Sequence, residues 1–125
     1  EVVEYALTRI PAEKINLGIP NYGYDWPLPY ERGKTAARTI SNTQAIEIAI
    51  AHNAVIEFDQ VSMSPHFTYE QDGIQHEVWF EDVRSMQAKF DLIEEYELNG
   101  AGYWQIMRLF RANWELLADR FEIVK

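Results

Sequence analysis

Lys14-Ile15-Asn16-Leu17-Gly18-Ile19-Pro20-Asn21-Tyr22-Gly23-Tyr24-Asp25-Trp26 is the stretch on which the fold turns. Ile15–Ile19 is a short apolar run bounded by Lys14 and Pro20, the pattern of a buried strand. Ahead of it, Val3, Ala6, Leu7 and Ile10 share one face of a helix over residues 2–10, which Pro11 ends. Helix, tight turn, buried strand is the αβ step of an α/β fold. Behind the strand, Pro20, Gly23, Pro27, Pro29 and Gly33 punctuate residues 20–38, which therefore read as a loop.

Outward from there, Ser41-Asn42-Thr43-Gln44 is a capping box, opening a helix with Ala45, Ile46, Ala49 and Ile50 inward. Val55–Asp59 and His66–Glu70 read as strands, Gln71-Asp72-Gly73 as a hairpin turn and Ile74–Glu81 as the returning strand. Asp82 caps a helix on which Val83, Met86, Phe90, Ile93 and Tyr96 recur at three- and four-residue spacing. Asn99-Gly100 supplies a left-handed stop, and Ala101–Ile106 is a second short buried strand. Asn113 caps a last helix carrying Trp114, Leu117 and Phe121. Two αβ-type portions thus flank a small α+β unit, and two parallel-type strands do not make a closed sheet by themselves.

Composition narrows the function. With 20 acidic against 11 basic residues the formal charge is −9. A phosphate backbone needs Lys and Arg to displace its counterions, so nucleic acid is disfavoured, and an anionic membrane surface likewise. A neutral sugar polymer is compatible with that charge. The absence of Cys removes disulfides and thiolate metal sites. Glu1 already sits inside a periodic pattern, which reads as a segment of a longer protein with any targeting segment outside it.

Three constellations are candidates for chemistry. Tyr22, Tyr24 and Trp26 follow the first buried strand, at the end where α/β barrels build their sites. Their flat faces and polar edges suit sugars; the alternative is a Pro-Gly loop whose aromatics plug the end of the fold. Tyr103 and Trp104 point to opposite faces of the second strand, so one faces the surrounding helices; Trp104 is a sugar-pocket floor or else core. Glu81-Asp82 is a carboxylate pair of the kind glycosidases use, although Asp82 reads better as a helix cap and Glu81 stays open. His52, His66 and His76 lack metal-ligand spacing, though His66 and His76 are placed to meet across the hairpin. No cofactor-binding motif is present.

The stretch Lys14–Trp26 resembles the seventh strand of the family-18 glycoside hydrolases, the chitinase family, which reads L-G-x-P-x-Y-G-R. Val78-Trp79-Phe80-Glu81-Asp82-Val83-Arg84-Ser85-Met86-Gln87-Ala88-Lys89 is similar to that family's aromatic-D-D-x-x-S-x-x-x-K segment, and Gly100-Ala101-Gly102-Tyr103-Trp104 to its eighth strand. Asn21–Trp26 and His76–Ser85 are nearest the bacterial spore-germination branch. The resemblance implies an α/β fold, the C-terminal part of a (β/α)8 TIM barrel. Residues 1–26 would be helix six and strand seven, 27–81 an α+β insertion, and 82–125 a helix, strand eight and the terminal helix. It implies substrate contacts from Trp104 and Tyr22, and a cis peptide after Trp104; Tyr24 stands where many chitinases have Arg, and Glu81 belongs to the candidate substrate-binding set. The family's D-x-x-D-x-E motif, which carries the catalytic acid of a substrate-assisted mechanism, does not occur here, so the resemblance implies no catalytic residue in this chain. It further implies a secreted or spore-associated bacterial hydrolase of N-acetylglucosamine-containing polysaccharide (peptidoglycan, spore cortex or chitin), with a lectin-like or protein-interaction barrel as the alternative, and self-association through open strand edges as a further expectation.

Overall fold

The computed structural model describes residues 1–124. The helix at the start is α1, Val2–Leu7, followed by a short 3-10 turn, Ala12–Lys14. The expected buried strand forms as β1, Asn16–Pro20, and its counterpart as β7, Gly100–Trp104. They pair in parallel, Asn16 opposite Gly100 through Pro20 opposite Trp104. Parallel neighbours need a crossover of a dozen or more residues. Here the crossover contains everything between, ending in α3, Val83–Glu95.

Strand side chains alternate between faces. Leu17, Ile19, Ala101 and Tyr103 sit on one face of this ribbon and join Val3, Met86, Phe90 and Ile93 in a core, with Leu117 and Phe121 supplied around α4, Arg111–Arg120. Phe90 and Phe121 meet edge to face at 5.3 Å. The opposite face carries Gly18, Pro20, Gly102 and Trp104, and Trp104 is 73% exposed. The two strands are therefore covered on one face, not two.

The second layer is a five-stranded antiparallel sheet, β3-β2-β6-β5-β4 in order, formed by β2 (Gly23–Pro27), β3 (Arg38–Ile40), β4 (Glu57–Asp59), β5 (Ser64–Gln71) and β6 (Ile74–Trp79). The helix α2, Asn42–Ala51, covers one side, with Ala45 and Ala49 against Ile40, Phe67, Tyr69, Val78 and Phe80. The hairpin turn is the two-residue kind, Asp72 and Gly73 having φ of 53° and 75°. Such a turn carries positive φ at both positions and matches the twist of the strands. Two of the three expected caps form, as reciprocal boxes: Ser41 with Gln44, and Asp82 with Ser85.

Several local expectations give way. Residues 20–38 are not all loop, because Gly23–Pro27 is β2. The period-two alternation of Tyr22, Tyr24 and Trp26 with small or inward residues outweighs the Pro and Gly punctuation. The antiparallel sheet accordingly starts at Gly23, ahead of the division after residue 26. On α2, Ile46 and Ile50 are exposed (41% and 72%) and the stripe against the sheet is the Ala pair, whose small side chains let the helix sit close. The left-handed residue after α3 is Glu97, φ 51°, whereas Gly100 opens β7. Asn113 lies inside α4, fully buried, and accepts a hydrogen bond from the Tyr103 hydroxyl at 3.0 Å instead of capping. His66 and His76 do not meet: they stand opposite Trp79 and Tyr69, at odd separation, hence on opposite faces of the sheet.

Candidate substrate-binding site

The end of the β1–β7 ribbon is where β1 passes into β2, and the residues there come from three places. Asn21 donates its backbone N–H to the Trp104 carbonyl at 2.7 Å, extending the ladder one step past Pro20. Beyond it Tyr22, then Tyr24 and Trp26 on β2, then Tyr30 past its end form an aromatic row: Tyr22 and Tyr24 edge to face at 5.3 Å, Tyr24 and Trp26 at 6.0 Å, Trp26 and Tyr30 at 5.9 Å. Ring pairs at such distances and angles stabilise one another while leaving faces and polar tips free. Tyr24 is 38% exposed and Tyr22 half-buried. Burial pushes the Tyr22 phenol above its ordinary pKa, with the Tyr24 hydroxyl and the charge of Glu81 adding to it. Tyr103 points the other way, into the core beside Trp114, leaving Trp104 as the outward aromatic of β7. The Trp104–Gln105 peptide is cis.

Glu81 and Asp82 part company. Asp82 accepts from the Ser85 backbone N–H at 3.0 Å and pairs with Arg84 at 2.8 Å, so it caps α3. Glu81 turns inward and is 7% exposed. Lys89 Nζ lies 2.9 Å from both of its oxygens, the Ser85 hydroxyl donates to one of them, and the Glu81 backbone N–H donates to Asn42 Oδ1 at 2.9 Å. Burial raises its pKa above the usual carboxylate range, against the opposing pull of Lys89 and Ser85. Thus the structure brings Tyr22, Tyr24 and Trp104 to one end of the ribbon, with Glu81 behind Tyr22.

Sequence reasoning missed Asp25. It is 3% exposed and accepts from the Tyr69 hydroxyl at 2.7 Å, from His76 Nδ1 at 2.8 Å and from Arg38 at 3.1 Å. Burial, then the bond to Asp25, pushes the Tyr69 phenol up to about 12. One carboxylate thereby ties β2 to β3, β5 and β6, fixing the phase in which Tyr24 and Trp26 point outward. An acidic residue at an inward position of an alternating aromatic strand was the available signal. Among the described residues no three His, Asp or Glu side chains gather as a metal site.

The sequence pattern of the glycosyl hydrolases family 18 matches residues 1–108. The chain belongs to glycosyl hydrolase family 18. The chain is 52% identical over 126 residues to the cortical fragment-lytic enzyme of Bacillus subtilis (strain 168), covering 100% of this chain and 29% of that protein. The crystal structure of the Bacillus megaterium QM B1551 spore cortex-lytic enzyme SleL superposes with a TM-score of 0.95 at 47% identity, covering 99% of this chain and 29% of that one. A chitinase from Chromobacterium violaceum gives 0.82 at 30% identity, over 93% of this chain and 35% of its own. The chain thus spans under a third of the length of the curated relative it matches at 52%. The family assignment made from the Lys14–Trp26, Val78–Lys89 and Gly100–Trp104 stretches is borne out.

Proposed function

We propose that this chain forms one wall of the sugar-binding cleft of a secreted or spore-associated bacterial family-18 hydrolase acting on N-acetylglucosamine-containing polysaccharide, the peptidoglycan of the spore cortex above all. In this reading β1 and β7 are strands seven and eight of a (β/α)8 barrel, and the antiparallel sheet with α2 is the insertion between them. The catalytic acid comes from a D-x-x-D-x-E motif outside this chain. Trp104 stacks on a sugar ring, Tyr22 and Tyr24 supply hydrogen bonds along the wall, and Glu81 backs Tyr22 from within the protein. The observation that carries this is Trp104: a large aromatic 73% exposed, paired in the ladder with Pro20, two residues before Tyr22, on the strand face that bears Gly18, Gly102 and Pro20. Exposing that much indole is unfavourable unless something covers it.

The test is a titration of this chain with a chitotetraose probe, followed by product analysis. Weak binding without cleavage is expected, and Trp104→Ala should weaken binding by about tenfold, the equivalent of about 1.4 kcal/mol. Unchanged affinity in Trp104→Ala would sink the stacking role. Turnover that vanishes in Glu81→Gln would move the acid into this chain.

The same ribbon bears on association. Among the described residues β1 and β7 pair only with each other, so each offers an unpaired edge there, and open edges template pairing. Self-association through those edges is part of the proposal. Light scattering should give a mass that rises with concentration; a monodisperse monomer across the range would count against it.

A further inference from the structure

The side chain of Asn21 holds the backbone that follows Trp104. Asn21 is fully buried at the end of β1. Its amide nitrogen donates to the Gln105 carbonyl at 2.9 Å and to the Arg108 carbonyl at 2.8 Å, while its backbone N–H donates to the Trp104 carbonyl. Both side-chain partners are carbonyl oxygens, so only the nitrogen end of the amide satisfies them, which fixes its orientation. One residue therefore reaches three carbonyls within the five-residue run 104–108.

That run has little else to hold it outward. Trp104, Ile106, Met107 and Leu109 are 73%, 69%, 85% and 76% exposed, so packing does not set the direction of the indole. On the far side of β7 the neighbouring Tyr103 is anchored by Asn113 and Trp114, which fixes the strand but not the segment after it. Among the described residues, the side-chain hydrogen bonds to the backbone carbonyls of this segment are the two from Asn21 and one from the Thr43 hydroxyl to the Leu109 carbonyl at 3.3 Å; the Asn21 clamp is the one next to Trp104, applied at the residue that also begins the turn into Tyr22 and Tyr24.

We infer that Asn21 is a positioning residue that sets how Trp104 is presented, coupling the Tyr22–Tyr24 wall to the Trp104 floor. Its consequence for sugar binding rests on the reading of Trp104 given above; the clamp itself does not.

Two variants test it, Asn21→Ala and Asn21→Asp, the second keeping the side-chain volume and the backbone bond should the first fail to fold. Amide exchange over residues 105–109, the indole N–H signals of Trp26, Trp79, Trp104 and Trp114, and chitotetraose affinity are measured together. Exchange should rise about tenfold over 105–109, the scale set by losing a net hydrogen bond or two from a locally opening segment. The Trp104 signal should move while the other three stay, and affinity should fall about five- to tenfold, toward that of Trp104→Ala. Ile93→Val, a change in the core beneath the same ribbon, should lower stability without moving the Trp104 signal. Unchanged exchange and an unchanged Trp104 signal in both Asn21 variants would overturn the inference, as would equal changes in Ile93→Val. If exchange and the Trp104 signal move but Trp104→Ala binds chitotetraose as the unsubstituted chain does, the clamp stands and the stacking role of Trp104 falls.

Discussion

Replacing Lys89 with Met is expected to destabilise the chain by about 3–5 kcal/mol near neutral pH, the scale found when one partner of a buried pair is removed. Glu81 is 7% exposed, and Lys89 Nζ is 2.9 Å from both of its oxygens. Without that ammonium the carboxylate keeps only the Ser85 hydroxyl as a side-chain partner, in a place where burial already raises its pKa. The loss should depend on pH in a defined direction. Because the pKa is higher folded than unfolded, the carboxyl contributes stability that is fully present below its unfolded value and is lost as pH rises through the folded one. Lys89→Met removes the group that pulls the folded pKa down, so the folded value climbs further and the loss extends to higher pH. Urea unfolding should therefore show a smaller deficit at pH 4 than at pH 7.5. Equal deficits would mean that Lys89 contributes packing alone.

Gly23→Ala is expected to cost about 2–3 kcal/mol, at the upper end of what overpacking a core does. An added Cβ would stand 2.7 Å from the Trp79 carbonyl oxygen and 2.8 Å from Phe80 Cβ. Neither is the tip of a flexible side chain. Relief requires β2 and β6 to separate at their first pair, beside the bonds that Asp25 makes two residues on. Gly102→Ala is the matched control, since nothing lies within 4 Å of its Cβ position, and it should be near neutral. A thermal melt that places Gly23→Ala within the error of Gly102→Ala would show that the strands yield more easily than the geometry implies.

Much of this was legible in the sequence where local physics and tertiary need agree. Ser41 with Gln44, and Asp82 at the head of α3, announce their helices by side chains that satisfy the helix's own first N–H groups, and both do so. The parallel strands and the family were readable from short runs whose order is distinctive. Failures came where a residue's partner lies far along the chain. Asn113 has the chemistry of a cap, yet the Tyr103 hydroxyl ten residues earlier captures it inside α4. Asp25 becomes a hub only once Arg38, Tyr69 and His76 arrive from three other strands. Asn21 reads as one more polar loop residue until β7 is beside it. At the candidate site the aromatics were visible by type, whereas their common side of the chain depended on β2 being a strand, which the flanking Pro and Gly concealed.

The pairing of β1 with β7 joins segments about eighty residues apart in sequence, and the chain between them is itself folded. Closing a flexible loop of that length costs entropy that grows with the logarithm of the number of free residues. The antiparallel sheet reduces that number, because its own hairpins and α2 turn the intervening chain into a compact block that leaves β1 at Gly23 and returns through α3 at Val83. The block thus acts as a short, stiff bridge. Chain length can change at its hairpin tips, Asp72-Gly73 for one, without lengthening the span that β7 must close.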